Sequence, residues 1–204
     1  MDMIKFKRKV WSHYLENECD FIDLIKMIEF ESDNYGTYSP TIKDLILSTG
    51  SQIEIACKEL CNIVSPQSSP SNIDQYRNIL KDFKNFSIQG VIFSKDSLTY
   101  TPWIEWKNDI NPQWWKDYNK VKHNGINEEK RGNIKNAFDS LAALFMLNRF
   151  LCRELSNGSR LNEPVDRSEL FEMDGWPIVR PYGAGMVQVE GKINGVNGVA
   201  TYKI

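Results

Sequence analysis

The sequence predicts a mainly α fold: a helical bundle with a β-hairpin insertion and a short irregular or β C-terminal appendage. Apolar residues recur at helical spacing through most of residues 18–155. The pattern becomes extended near residues 87–103, and glycine and turn residues become frequent after residue 158. We therefore predict a helical domain over residues 1–158 and an appendage with short strands over residues 159–204.

Five segments carry the pattern of helices. The first is predicted over residues 18–30. The second is predicted over residues 40–64, where Ser39 can cap and Pro40 suits the first helical position. Gly50 in its middle indicates either close approach of another helix or a kink. The other three are predicted over residues 73–83, 114–124 and 132–155. The helix over residues 132–155 is apolar on more than one face, which predicts a central position in the bundle.

The extended segments are short. Residues 88–93 and 98–103 are separated by four loop residues, which predicts a hairpin that packs on the helices. Residues 168–173 are predicted as a short helix. Terminal strands are predicted over residues 186–190 and 198–203, around an Asn-Gly pair.

The composition is that of an ordinary globular protein. Of the 204 residues, 41% are hydrophobic and 25% are charged. A net charge of -2 excludes a global basic field for nucleic acid, although a local basic patch is compatible with it. No apolar run approaches the roughly 20 residues of a membrane span, and no apolar segment follows the charged start as in a signal peptide. We therefore expect a cytoplasmic protein without membrane contact.

The four cysteines are expected to be reduced thiols. Cys57 and Cys61 lie four residues apart, a spacing that could supply half a metal site. Only His13 and His123 could add imidazole ligands. We interpret both thiols as small buried apolar side chains, and we expect neither a metal nor a cofactor.

Residues able to perform chemistry concentrate in the helix predicted over residues 114–124. Steps of three, four and seven residues place Lys116, Asn119 and His123 on one face. An imidazole can move protons near neutral pH, an amide can orient the ring, and an ammonium can hold phosphate. These are the candidate catalytic residues. The alternative interpretation is structural, because a histidine near a helix end often only meets the terminal carbonyls.

The same region carries a longer pattern. It reads Trp114-Trp115-x-x-Tyr118-Asn119-x-x-Lys122-His123-Asn124, followed by a helix with Asn136-Ala137 and Leu141-Ala142-Ala143-Leu144. This pattern resembles the C-terminal helical pair of HEPN-superfamily domains. Residues 51–60 resemble the long helix that precedes that pair, and the resemblance covers about residues 40–150.

The resemblance implies a helical bundle that forms a homodimer, with two-fold pairing of the 114–124 helix. It also implies RNA binding or metal-independent ribonuclease activity in a defence or toxin–antitoxin type system, with possible partner proteins. The family site has an arginine, a polar residue, a short spacer and a histidine. His123 matches the histidine and Asn119 the polar residue. The implied RNA-binding residues are Tyr118, Lys120, Lys122 and Arg131.

The chain departs from this pattern because no arginine lies between Pro112 and His123. Lys116 is the candidate replacement, although lysine lacks the bidentate guanidinium fork. Alternatively, the loop that follows the helix could bring Arg131 back to the cluster around His123. Glu54 on the preceding long helix could pair with His123 or Lys122 across the bundle.

Two other functions stay open. The missing arginine favours a non-catalytic dimerisation or protein-interaction module on the same fold. A small molecule could instead bind between the helices and the hairpin, in an apolar pocket lined by Tyr100, Trp103 and Trp106. We interpret these two tryptophans, with Trp114 and Trp115, as core anchors rather than as a base-stacking platform.

Overall fold

A computed structural model describes residues 1–124, 127–157, 167–181, 183, 186–193 and 196–203. These residues form helices that pack around one hydrophobic core, together with two small antiparallel sheets. The predicted mainly α fold is confirmed.

The first helix begins well before the predicted residue 18. Three segments follow one another without a break: α1 (Met3–Lys5), a π-helical segment (Phe6–Trp11) and α2 (Ser12–Met27). The Asp2 side chain caps the start by accepting a hydrogen bond of 2.8 Å from the backbone N–H of Lys5. The sequence signal is weak here because the segment is rich in cations and a π turn displaces its apolar positions from the helical period.

The second long helix, α3 (Pro40–Val64), has the predicted bounds. Ser39 Oγ accepts a hydrogen bond of 3.1 Å from the backbone N–H of Ile42. Gly50 marks a close approach rather than a kink. A Cβ atom at this position would lie 2.3–2.6 Å from ring atoms of Tyr118 on α5 (Gln113–Asn124).

The other helices differ from the predictions mainly at their ends. The helix α4 (Ile73–Leu80) is shorter than predicted, because a 3-10 segment with left-handed backbone at Lys84 and Asn85 follows it. The helix α6 (Ile134–Leu155) begins at the Asn133 cap. It is buried on most of its surface and packs against α2, α3 and α5, so the predicted central position is confirmed.

The predicted hairpin is present with shorter strands, β1 (Val91–Phe93) and β2 (Thr99–Tyr100). A third strand, β3 (Phe171–Met173), pairs with β1 and gives the order β2-β1-β3. The helix predicted over residues 168–173 is therefore wrong. Burial alternates along β3, with Glu172 exposed between two buried neighbours, as the period of a strand requires.

The segment before β3 is attached to α2 by a buried carboxylate. Glu18 accepts hydrogen bonds from Tyr14 Oη at 2.7 Å and from the backbone N–H groups of Glu169 at 3.0 Å and Leu170 at 3.2 Å. Ser168 Oγ also donates to it. The predicted boundary near residue 158 lies outside the described residues, but Leu170, Phe171 and Met173 contribute to the core of the helical domain.

The second sheet is built from the last described residues. Its strands are β4 (Ile178–Pro181), β5 (Met186–Ile193) and β6 (Val196–Lys203), in the order β4-β5-β6. The two predicted terminal strands are confirmed, and both are longer than predicted. The expected Asn194-Gly195 turn lies outside the described residues. The unpredicted β4 is an edge strand that ends at a proline, a position that sheets tolerate.

The tryptophans are core anchors, as predicted. Trp103 and Trp106 are fully buried, and each packs against Phe86 with ring centroids 5.7 Å apart. Trp114 and Trp115 are also buried. Because the rings of Trp103 and Trp106 have no exposed surface, they do not line an open pocket. Within the described residues, no helix combines the length and hydropathy needed to cross a bilayer.

Candidate nucleic-acid interface

One side of α5 faces solvent and carries most of the candidate site. Lys116, Lys120 and His123 are exposed, and Asn119 between them is half-buried. We call these four residues the outward side of α5. Asn119 Nδ2 donates a hydrogen bond of 3.0 Å to the carbonyl oxygen of Trp115, which fixes the amide. The predicted catalytic trio therefore lies on one regular helix together with Lys120.

The lysines of the outward side have no charge compensation from the residues that the structure describes. Neither Lys116 nor Lys120 forms an ion pair with any residue that the structure describes, and His123 has no hydrogen-bond partner there. The charges of the two lysines are therefore available to an anionic ligand.

A second side of α5 packs on α3. Tyr118 is 1% exposed, and its hydroxyl donates a hydrogen bond of 3.0 Å to Glu54 Oε1. Lys122 Nζ donates to the same oxygen at 2.9 Å and lies 5.3 Å from the centre of the Tyr118 ring. Burial raises the pKa of Tyr118, and the bond to Glu54 raises the pKa of Lys122. The Tyr118 ring is thus not free to stack on a base, and Glu54 compensates the charge of Lys122.

A third side of α5 holds the loop that precedes α6. The buried Asp117 accepts hydrogen bonds from Arg131 Nη1 at 2.5 Å, Gln113 Nε2 at 3.0 Å and Asn136 Nδ2 at 3.2 Å. Arg131 Nε also donates to Glu128, and bonds to Glu128 and then Asp117 raise the pKa of Arg131. The guanidinium group is therefore bound by two carboxylates, which compensate its charge.

A pocket of about 510 Å³ lies beside this third side. Its lining mixes carboxylates, amides and cations, and it does not include the outward side. The lining residues are Tyr38, Asp117, Asn127, Glu128, Glu129, Lys130, Arg131 and Asn133.

The structure thus separates the predicted site residues into three groups. Lys116, Asn119 and His123 lie together with Lys120, whereas Tyr118 and Lys122 face α3 and Arg131 is bound to Asp117. If Asn119 occupies the polar position of the family pattern, Tyr118 stands where that pattern has arginine.

Sequence reasoning missed the role of Asp117. The i, i+4 spacing of Gln113 and Asp117 was a local signal for their hydrogen bond. The contacts with Arg131 and Asn136 depend on the path of the loop, and no local pattern encodes them.

The cysteine prediction is confirmed for the pair on α3. Cys57 and Cys61 are buried free thiols, and burial raises the pKa of Cys61 to about 12. In the part of the chain that the structure describes, no group of three or more histidine, cysteine, aspartate or glutamate residues could hold a metal ion.

Comparisons with known proteins identify no relative. No protein-family model, no curated protein and no solved structure matches the chain. The resemblance to HEPN domains therefore stays a prediction.

Proposed function

We propose that the protein is a HEPN-like helical domain that binds single-stranded RNA through the outward side of α5. The observation that carries the proposal is a contrast in charge compensation. Lys116 and Lys120 have no carboxylate partner among the described residues, whereas Lys122 and Lys135 each have one and Arg131 has two. Uncompensated ammonium groups can replace the counterions of a phosphate backbone.

The spacing of the outward side suits an extended strand. Lys116 and Lys120 are one helical turn apart, or about 6 Å along the axis. Two such cations can contact neighbouring phosphates, and His123 lies beside them on the same side. The oxygen of the Asn119 amide could accept a hydrogen bond from a ribose 2′-hydroxyl, the group that distinguishes RNA from DNA.

The proposal is for binding, with cleavage as a separate question. Metal-independent cleavage of RNA needs one group to take the 2′-hydroxyl proton and another to give a proton to the leaving oxygen. His123 can supply one of these. A buried tyrosine stands at the arginine position of the family pattern, and Arg131 is bound to carboxylates. RNA turnover in EDTA by wild type and His123→Ala tests cleavage, and equal turnover would remove His123 from the mechanism.

Binding is tested with a labelled single-stranded RNA oligonucleotide over a series of salt concentrations. We expect Lys116→Gln/Lys120→Gln to weaken binding and to reduce the slope of log K against log salt by about 1.4, or about 0.7 per phosphate contact. The matched control is Lys122→Gln/Lys135→Gln, which removes the same charge from two paired lysines. Equal effects of the two variants would contradict the proposed surface.

The alternative is a non-catalytic dimerisation or protein-interaction module. It is favoured by the burial of Tyr118 at the arginine position of the family pattern. A wild-type protein that retains no RNA at low salt would support this alternative. The homodimer through α5, the cytoplasmic location and the defence or toxin–antitoxin setting are parts of the proposal that rest on the resemblance or on the sequence.

A further inference from the structure

A groove of about 390 Å³ lies between α2 and α3, apart from the outward side of α5. Three exposed carboxylates line it, those of Glu16, Asp20 and Asp44. None of them forms an ion pair or a side-chain hydrogen bond with a residue that the structure describes. Because unpaired carboxylates that face one groove repel each other, a cation bound between them is stabilised.

The same groove is lined by a buried amide with an unused donor. Asn17 is 3% exposed, and its Oδ1 accepts a hydrogen bond of 2.8 Å from Ser48 Oγ, which also lines the groove. The Nδ2 atom of Asn17 has no hydrogen-bond partner in the described part of the chain. A buried N–H group without an acceptor costs free energy, and most such groups in folded proteins have one. A ligand in the groove can supply the acceptor that Asn17 lacks.

Hydrogen-bond donors and carboxylates occupy different parts of the groove. His13, Asn17 and Asp20 lie on one side of α2, where the helical rise places His13 about 6 Å from Asn17 along the axis. Asp20 lies about 4.5 Å from Asn17 in the other direction. An imidazole can donate a hydrogen bond in both of its protonation states. One end of the groove therefore has two donors, and the other end is acidic.

The relative direction of α2 and α3 determines where the carboxylate of α3 lies. The end of α2 and the start of α3 are both beside the start of α6, so α2 and α3 are antiparallel. Ser48 on α3 lies opposite Asn17 on α2, since the two side chains share a hydrogen bond. Asp44 is about one turn before Ser48 and therefore lies near the level of Asp20. These two aspartates form the acidic end of the groove.

We propose that this groove binds a basic amino acid, L-arginine or L-lysine. The cationic side chain of the ligand pairs with Asp20 and Asp44. Its α-carboxylate accepts hydrogen bonds from Asn17 Nδ2 and from His13, and its α-ammonium group pairs with Glu16 beside Asn17. The volume of the groove is in the range of small-molecule sites. Each unpaired polar group named above thus receives a partner of the appropriate kind.

Other cations match the groove less well. Among the described residues, no group of three or more histidine, cysteine, aspartate or glutamate side chains is arranged to hold a metal ion. A metal ion or a polyamine would also leave the buried Asn17 donor without an acceptor, because neither carries one. The combination of a cation and an acceptor in one short molecule is what distinguishes a basic amino acid.

The binding test is isothermal titration calorimetry of the full chain at low salt. The probes are L-arginine, L-lysine and two analogues of arginine. L-Citrulline has a neutral urea in place of the guanidinium, and agmatine keeps the guanidinium but lacks the carboxylate. We expect the basic amino acids to bind, and each analogue to bind about tenfold more weakly than L-arginine, because each loses one charged contact.

Two variants identify the groups that read the ligand, and circular dichroism checks that each is folded. Asp20→Asn/Asp44→Asn should weaken L-arginine binding by about tenfold, the effect of losing two partly exposed ion pairs. Glu31→Gln/Asp33→Asn makes the same charge change at exposed residues outside the groove and should have no effect. Asn17→Ala should weaken L-arginine binding and leave agmatine binding unchanged.

NMR of the histidine side chains locates the ligand. Saturating L-arginine should shift the signals of His13 and leave those of His123 in place. These measurements contain no RNA, so their outcome is independent of the proposed RNA binding. The proposal is overturned if neither basic amino acid binds, if either analogue binds as tightly as L-arginine, or if the control variant loses as much affinity as Asp20→Asn/Asp44→Asn. Unmoved His13 signals at saturation would also overturn it.

Discussion

The outward side of α5 and its two packed sides, which face α3 and the loop before α6, show how similar polar residues acquire different roles. Asp117, Tyr118 and Lys122 are held by partners on α3, α6 or the loop before α6. Lys116 and Lys120, on the same helix, have no charged partner in the described part of the chain. The buried residues Asp117 and Tyr118 should therefore matter for stability, and the outward residues for binding. The predictions below test this division, from the largest expected effect to the smallest.

The largest effect is expected for Gly50→Ala, which tests the contact between α5 and α3. The new methyl group would lie 2.3–2.6 Å from the Tyr118 ring. Overpacking of this kind costs about 1–3 kcal/mol, and we expect a loss in unfolding free energy of about 2 kcal/mol despite alanine's better helix propensity. Chemical denaturation measures it, with the exposed neighbour Ser51→Ala as control. Unchanged stability of Gly50→Ala would contradict the close approach.

Replacing the buried carboxylate should have a slightly smaller effect. In Asp117→Asn the amide group would confront at least one of the donors from Arg131, Gln113 and Asn136. We expect a loss of about 1–2 kcal/mol in unfolding free energy, typical of an unsatisfied buried polar group. The exposed Asp33→Asn is the control. RNA affinity of the folded Asp117→Asn protein should not change, and a specific loss of RNA binding would place Asp117 in the interface.

The protein should lose stability at alkaline pH. Burial raises the pKa values of Tyr14 and Tyr118, and the bond to Glu54 raises that of Lys122. A raised pKa means that the folded state binds the proton more tightly. The stabilising contribution of the protonated group is complete below its unfolded-state pKa of about 10 and is lost as pH rises towards its folded-state pKa.

Denaturation between pH 8 and about 11 measures this loss. Each of the two buried tyrosines contributes at most about 1.4 kcal/mol per pH unit, and the exposed Lys122 contributes less because solvent screens it. Tyr118→Phe removes one titrating group and should make the alkaline loss shallower. A stability that does not change over this range would contradict the assigned environments.

The smallest stability effect is expected for Glu54→Gln. The pair with Lys122 is 40–41% exposed, and pairs of this kind contribute about 0–1 kcal/mol. The change also leaves the charge of Lys122 uncompensated beside the outward side. We therefore expect nearly unchanged stability and tighter RNA binding at low salt. Weaker RNA binding would mean that uncompensated charge on α5 does not determine affinity.

The sequence predicts elements whose signals are local. Ser39 and Pro40 mark the start of α3, and the Asn111-Pro112 pair precedes α5. The strand β3 could not be predicted in this way, because its state depends on pairing with β1, far away in the chain. The part of the first helix before residue 18 was not predicted, because its π-helical segment departs from the regular period.

In the candidate site, too, local spacing predicts some features and tertiary packing determines the others. Helical spacing is sufficient to place Lys116, Asn119 and His123 on one side of α5. It does not show that Glu54 compensates Lys122 or that Asp117 binds Arg131, since both partners are brought in by tertiary packing. The unpaired lysines became distinguishable from the paired ones only in the folded structure.

The central claim is that RNA binds the outward side of α5, and NMR of the histidine side chains tests it most directly. The chain contains two histidines, so each imidazole can be assigned by one substitution. His123 lies on the outward side of α5, and His13 lines the separate groove between α2 and α3. At constant salt and protein concentration, we expect single-stranded RNA to shift the His123 signals to saturation and to leave those of His13 in place. Unmoved His123 signals under conditions where RNA is bound would contradict the account.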